Sequence, residues 1–236
     1  MPSLPPRSPV AENLAAIRRV IEDAARRSGR SPDAITLVAV SKLQPVPKLF
    51  EAYAAGQRVF GENYVQEALD KMSALPRDAS WHMIGHLQSN KARQVPGRFA
   101  WIETVDSLKL ARTLEKHATE TRSDVQALVQ VNWSGEASKS GLQDQDAVKS
   151  LVEALAGFQH VRLRGLMTIP DPEWDEAALR RCFSAMRRLR EELAAEFGIH
   201  ERLTELSMGM SHDYAWAIEE GATIVRVGTA IFGART

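Results

Sequence analysis

The stretch ITLVAVSK, residues 35–42, decides the fold class. Its apolar residues are consecutive and the run is short, so it predicts a strand buried on both faces rather than a long helix. Similar runs follow at QRVFGEN (57–63), WHMIGHL (81–87), FAWIETV (99–105), VQALVQVN (125–132), VRLRGLMTIP (161–170), LTELSMGM (203–210) and TIVRVGTA (223–230). The sequence therefore contains eight candidate strands.

Candidate helices separate these strands. Residues 10–27 and 174–197 each carry apolar residues at helical spacing. A third helix is predicted over residues 211–220, with Ser211 as its N-cap and Gly221 as its stop. Alternation of this kind indicates a parallel sheet with right-handed crossovers.

Eight such units favour a single (β/α)8 TIM barrel, an α/β fold, over residues 10–236, with an open doubly wound sheet as the alternative. No low-complexity linker interrupts the repeat, which argues for one domain. Residues 1–9 are rich in proline and predict a flexible N-terminal tail.

Charge and cysteine content limit the class of function. The 236 residues contain 30 Lys and Arg and 30 Asp and Glu, so the formal net charge is zero. Nucleic-acid and membrane-surface binders usually carry a basic excess, and we expect neither partner here. No apolar run approaches the roughly 20 residues of a membrane span, and the N-terminus lacks a signal-peptide pattern. With Cys182 as the single cysteine, we expect a cytoplasmic protein.

Lys42 ends the first candidate strand, directly after an apolar run. Burial disfavours the charged form of lysine and lowers its pKa, which leaves a neutral amine able to attack an aldehyde. The alternative is a strand-end lysine whose ammonium group simply reaches solvent.

Two loops have the composition of a phosphate site. Gly209 and Ser211 follow the seventh strand, and Gly228 and Thr229 follow the eighth. In (β/α)8 barrels the loops after strands seven and eight often bind phosphate, since glycine permits close approach and hydroxyl and backbone N–H groups donate to the anion. Ordinary turn formation is the alternative.

Arg226 stands inside an apolar strand, where an arginine needs a partner. It either points outward to a helix carboxylate or points into the barrel mouth, where it could donate to a ring nitrogen. Metal binding is not expected, because the spacing of His82, His86 and Asp213 fits no zinc pattern.

Six segments carry a family resemblance: LVAVSK (37–42), FGENYVQEA (60–68), WHMIGHLQSNKAR (81–93), VNWSGEASKSGL (131–142), RGLMTIP (164–170) and LSMGMSHDYAWAIEEGATIVRVGTAIFGAR (206–235). In them the sequence resembles the pyridoxal phosphate homeostasis protein family, which are stand-alone relatives of the alanine racemase N-terminal domain. The segments occur in the family's order and span nearly the whole chain.

This resemblance implies pyridoxal 5′-phosphate (PLP) as the cofactor, bound as a Schiff base to Lys42. It implies phosphate contacts from Ser211, Gly228 and Thr229, with Arg226 near the pyridine nitrogen. The same analogy gives four further residues of the cofactor pocket: Asn63, His82, Met167 and Ser207.

The resemblance favours a carrier or regulator of PLP over a dedicated enzyme, with no catalytic residues. Racemisation needs a base on each face of the substrate; Lys42 could supply one, but no carboxylate evident in the sequence would orient His82 as the other. The second domain that supplies a tyrosine in alanine racemases is also not expected here. A weakly active racemase-like PLP enzyme and a cofactor-free Schiff-base aldolase are the alternatives. We expect a monomer whose partners are PLP and apo forms of PLP-dependent enzymes.

Overall fold

The computed structural model describes residues 8–133 and 140–234. Within these ranges, eight parallel strands close into a barrel in the order of the sequence. They are β1 (Thr36–Val40), β2 (Val59–Glu62), β3 (Ser80–Met83), β4 (Trp101–Val105), β5 (Val125–Gln130), β6 (Val161–Met167), β7 (Glu205–Ser207) and β8 (Ile224–Val227). The predicted (β/α)8 barrel is confirmed, and the open sheet is wrong because β1 pairs with β8.

Helices alternate with the strands and surround the barrel. They are α1 (Pro9–Arg27), α2 (Val46–Ala54), α3 (Val65–Ala74), α4 (Leu108–Thr121), α5 (Gln145–Ala156), α6 (Glu176–Phe197), α7 (Tyr214–Glu219) and α8 (Thr229–Phe232). Short 3₁₀ helices lie at Pro32–Ala34 and Ala92–Gln94. None of the helices in the described ranges is both long and apolar enough to cross a membrane.

The first helix begins one residue before the predicted boundary of the barrel. Ser8 is its N-cap, with Oγ accepting the N–H of Ala11 at 3.3 Å, and Pro9 takes the first helical position, where a missing N–H costs nothing. Residues 1–7 of the predicted tail lie outside the described residues. The helix packs beside α7, α8 and α2, and thereby covers the barrel where α8, with four residues, is short.

The helix predicted over residues 211–220 begins later than expected. It starts at Tyr214, and its N-cap is Asp213 rather than Ser211. The backbone N–H groups of Asp213 and Tyr214 both donate to the carbonyl of Met210, so residues 210–213 form a turn that delays the helix. The predicted N-cap role of Ser211 is therefore wrong, which leaves its hydroxyl unused by the helix.

Apolar packing occurs on both sides of the sheet. The larger core lies between the strands and the helices. A smaller buried cluster, composed of Val38, Leu128, Met167 and Ile224, draws its members from strands β1, β5, β6 and β8. Because these strands lie around the closed barrel, we assign the cluster to its interior.

Candidate functional site

The pairing of β1 with β8 brings the predicted lysine and the predicted phosphate loop to the same end of the barrel. Val38 lies opposite Arg226, so Lys42 and Gly228 both follow the carboxyl ends of paired strands. A Cβ atom built on Gly228 would lie 3.2 Å from both the Cβ and the carbonyl oxygen of Val40. The missing side chain at position 228 thus permits the close approach of the two strand ends.

The loop after β7 lies beside this pair of strands, because β7 also pairs with β8. Gly209 has a φ of +96°, and a Cβ there would lie 2.7 Å from a side chain of α7, so the turn requires glycine. The Asp213 carboxylate accepts the Met210 N–H at 2.5 Å and holds the loop in shape. Ser211 is half-buried and Thr229 is exposed, so solvent reaches both hydroxyl-bearing residues.

Arg226 is buried and points inward, which decides between its two predicted orientations. Its Nη1 donates to Ser207 Oγ, and its Nη2 donates to the Thr168 carbonyl at 2.8 Å. The same Nη1 lies 3.8 Å from Glu103 Oε2. Burial lowers the pKa of Arg226, while the charge of Glu103 opposes that shift. The guanidinium therefore stays a cation inside the barrel, with Glu103 as its counter-charge.

Glu103 connects this arginine to a histidine on the opposite side of the network. Its Oε2 accepts the Ser207 hydroxyl at 2.5 Å, and its Oε1 lies 2.6 Å from His82 Nδ1. Burial favours the neutral acid, but the hydrogen bond and charge of His82 and the charge of Arg226 outweigh it and hold the pKa of Glu103 below its ordinary value. The four side chains form one buried polar network.

His82 has the orienting carboxylate that the sequence did not reveal. Because an ionised Glu103 can only accept, Nδ1 donates to it, and this contact orients the ring. The ring also stacks on Trp101, with centroids 5.4 Å apart. The expectation that His82 has no such partner is wrong, because pairing of β3 with β4 brings together residues 21 positions apart.

A second buried network lies beside Lys42. Lys71 Nζ donates to the Ser41 carbonyl at 2.6 Å, to Glu62 Oε1 at 2.8 Å and to Glu67 Oε1 at 2.6 Å. Ser41 Oγ also donates to Glu62 Oε1 at 2.6 Å, and burial raises the pKa of Glu62. On the other side of Lys42, the Leu43 N–H donates to Glu67 Oε1 at 2.6 Å.

Two predicted pocket residues have other surroundings. Met167 belongs to the small apolar cluster, and it pairs in register with Ser207 of the Arg226 network. Asn63 lines a cavity of about 550 Å³ between the loops after β2 and β3. Among the described residues, the lining of that cavity includes none of the other eight predicted site residues. No group of three or more potential metal ligands occurs in the described part of the chain.

The residues that sequence reasoning missed are Glu103, Glu67 and Lys71. Glu103 carried a usable signal, since a charged residue within the apolar run FAWIETV needs a buried partner just as Arg226 does. Glu67 and Lys71 carried none, because i, i+4 Glu–Lys pairs are common on exposed helix faces.

Comparison with known proteins gives the family. The model of the alanine racemase N-terminal domain matches residues 13–236. The pyridoxal phosphate homeostasis protein of Pseudomonas aeruginosa is 45% identical over 229 residues, which cover 97% of this chain and 96% of that protein. That of Escherichia coli K12 is 44% identical over 230 residues, covering 96% and 97%.

The chain belongs to the pyridoxal phosphate homeostasis protein family. A solved relative, PipY of Synechococcus elongatus with PLP bound, is 40% identical and superposes with a TM-score of 0.83, covering 95% of this chain and 100% of that one. The family resemblance read from the sequence motifs is thus confirmed. The region that matches the alanine racemase N-terminal domain includes all nine predicted site residues.

Proposed function

We propose that this protein binds PLP as a Schiff base on Lys42 and acts in cellular PLP homeostasis, as a carrier or regulator that supplies or buffers the cofactor. The observation that carries this proposal is the β1–β8 pairing, which brings the strand-end Lys42, the Gly228 turn and the buried Arg226 to one mouth. The names of the relatives and the PLP-bound state of PipY support it.

The donors at the mouth fit the phosphate of PLP. Ser211 and Thr229 offer hydroxyl groups. The backbone N–H groups at residues 229 and 230 begin α8 and so have no acceptor within that helix. Gly228 keeps the backbone free of a side chain at the strand ends. We assign the phosphate to these three predicted residues, Ser211, Gly228 and Thr229.

The interior network fits the ring of PLP. Arg226 has five N–H donors, and three contacts to Ser207, Thr168 and Glu103 leave donor capacity for a ring nitrogen. Because Arg226 remains charged, it would hydrogen bond to that nitrogen and keep it unprotonated. Such an arrangement favours retention of the cofactor over carbanion chemistry, which profits from a protonated ring.

When bound, PLP supplies an aldehyde carbon with which a primary amine forms a Schiff base and releases water. Lys42 is the amine that we assign to this linkage. The test is an absorbance spectrum of the holoprotein, followed by borohydride reduction and peptide mass mapping. Lys42→Ala should abolish both the visible band and the reduced adduct, whereas Lys91→Ala, at an exposed lysine of the neighbouring loop, should retain them. A reduced adduct at Lys48, Lys91 or Lys139 would overturn the assignment.

Delivery of the cofactor is the finer part of the proposal. We propose a cytoplasmic monomer that passes PLP to apo forms of PLP-dependent enzymes. The test is transfer from the holoprotein to an added apoenzyme in the presence of a trap for free PLP. Transfer faster than release into the trap would support direct delivery. Transfer limited by that release would leave the protein as a buffer of free PLP.

A racemase-like PLP enzyme with weak activity is the second candidate. The observation in its favour is the His82–Glu103 pair, since the carboxylate orients the imidazole through Nδ1, as an acid–base histidine requires. Against it, His82 is 2% exposed and its ring stacks on Trp101, which restricts its reach toward a substrate. Isotope exchange at the α-carbon of an amino acid separates the two functions.

A further inference from the structure

We propose that Glu67 and Lys71 are positioning residues for Lys42, and that together they form a clamp on the two peptide groups that flank it. This inference rests on the proposed Schiff base at Lys42. Both residues lie on α3, outside the phosphate loops and the Arg226 network. Their polar contacts are with each other and with Ser41, Glu62 and Leu43.

The first half of the clamp holds the peptide group before Lys42. The carbonyl of Ser41 accepts from the Lys71 ammonium, and the Ser41 hydroxyl donates to Glu62, which the same ammonium also contacts. The Lys71 side chain is 6% exposed and has three acceptors for its three N–H donors. Because all three N–H donors of this ammonium are hydrogen bonded and shielded from water, its contact with the Ser41 carbonyl should persist.

The second half holds the peptide group after Lys42. Leu43 has a φ of +59°, in the left-handed region that leucine rarely adopts. Its N–H donates to Glu67, and its side chain is largely exposed, so apolar packing does not hold this conformation. The Gln44 N–H donates to the Ser41 carbonyl at 3.0 Å and closes a turn around Leu43, and Glu67 adds an acceptor from outside that turn.

The consequence is a fixed Cα position for Lys42. With the preceding carbonyl and the following N–H both hydrogen bonded to α3, the direction of the Cα–Cβ bond of Lys42 is restrained. Preorganisation of this kind favours formation of a covalent bond, because the entropy of orienting the amine is lost on folding rather than on reaction.

The test compares two ligands that share the ring and the phosphate of PLP. Pyridoxine 5′-phosphate carries an alcohol in place of the aldehyde, so its affinity reports the pocket without the Schiff base. Glu67→Ala should weaken PLP binding about tenfold, the loss expected for one hydrogen bond to a charged group, and leave pyridoxine 5′-phosphate binding unchanged. Glu67→Gln should restore most of the PLP affinity, because its amide oxygen accepts the Leu43 N–H.

Asp70→Ala is the matched control, since Asp70 is an exposed carboxylate of the same helix that accepts a hydrogen bond from Gln66. It should change neither affinity. Lys71→Met tests the other half of the clamp and should also weaken PLP selectively. Equal effects of Glu67→Ala on both ligands, or no effect on either, would overturn the clamp. Failure of the wild-type protein to give a reduced adduct at Lys42 would instead overturn the proposed Schiff base.

Discussion

Glu103 Oε2 lies 3.8 Å from Arg226 Nη1, and the two groups share the Ser207 hydroxyl as a hydrogen-bond partner. The exposed fractions of the two side chains are 0% and 4%. A charge at such depth requires a counter-charge, because the interior solvates it poorly. Arg226 can therefore be buried inside the barrel as a cation because Glu103 lies beside it.

Removal of one member of this pair should destabilise the fold strongly. Glu103→Leu leaves Arg226 without a counter-charge and takes an acceptor from both His82 and Ser207. We expect a loss of about 3–5 kcal/mol in the free energy of unfolding, measured by urea denaturation. Glu196→Leu, which removes the exposed Lys149–Glu196 pair, should change stability little. Similar losses for the two variants would contradict the role of Glu103.

The stability of the protein should fall in acid in a way that depends on Glu103. Its pKa is lowered in the folded state relative to the ordinary 4.5, so the unfolded chain takes up the proton first. The stabilisation is complete above that ordinary value and is lost as the pH falls through the folded pKa. Between about pH 6 and about pH 3.5, wild type should lose more unfolding free energy than Glu103→Gln. Parallel pH profiles would show that Glu103 does not contribute.

Ser211 and Thr229 should distinguish phosphorylated from unphosphorylated ligands. Ser211→Ala and Thr229→Ala should each weaken PLP binding by about 1–2 kcal/mol, as expected for a hydrogen bond to a charged group, and affect pyridoxal much less. Thr113→Ala, at an exposed hydroxyl of α4 that donates only to the Lys109 carbonyl, is the control. Equal losses for both ligands would mean that these hydroxyl groups do not contact the phosphate.

The holoprotein should exchange the α-proton of alanine slowly or not at all. Arg226 disfavours a protonated ring nitrogen, which weakens the electron sink, and His82 is buried against Trp101, which restricts its access to a substrate. The measurement is incubation with L- and D-alanine in deuterated water, followed by NMR. Turnover near the enzyme median of about 10 s⁻¹ would favour the racemase-like function instead.

The arrangement of strands was predictable from sequence, because short apolar runs separated by helical segments allow few topologies. The residues at which the strands end were harder to predict. The run 203–210 reads as one strand, yet β7 covers only Glu205–Ser207, although Met208 and Gly209 still hydrogen bond to the backbone of β8. Local composition does not record where regular strand geometry ends, here just before Gly209 with its φ of +96°.

Some of the site residues could likewise be identified from the sequence, and others could not. Lys42 and Arg226 were identifiable because each is a charge beside or within an apolar strand. Glu103 is also a charged residue within an apolar run, but its partners His82, Ser207 and Arg226 lie on other strands and depend on how the barrel closes. The pairing of β4 with β5 also shifts between Ile102 and Val105, so simple alternation does not assign its direction. Lys71 is buried and Glu67 half-buried, and their contacts with Ser41, Glu62 and Leu43 are not revealed by any helical pattern.

The pairing of the first strand with the last also sets an order of events during synthesis. Lys42 leaves the ribosome early, with β1, whereas Gly228 and Thr229 emerge only after β8. A nascent chain thus carries Lys42 for most of its translation without the groups that we assign to phosphate recognition. Selective uptake of the cofactor, as we propose it, has to await closure of the barrel.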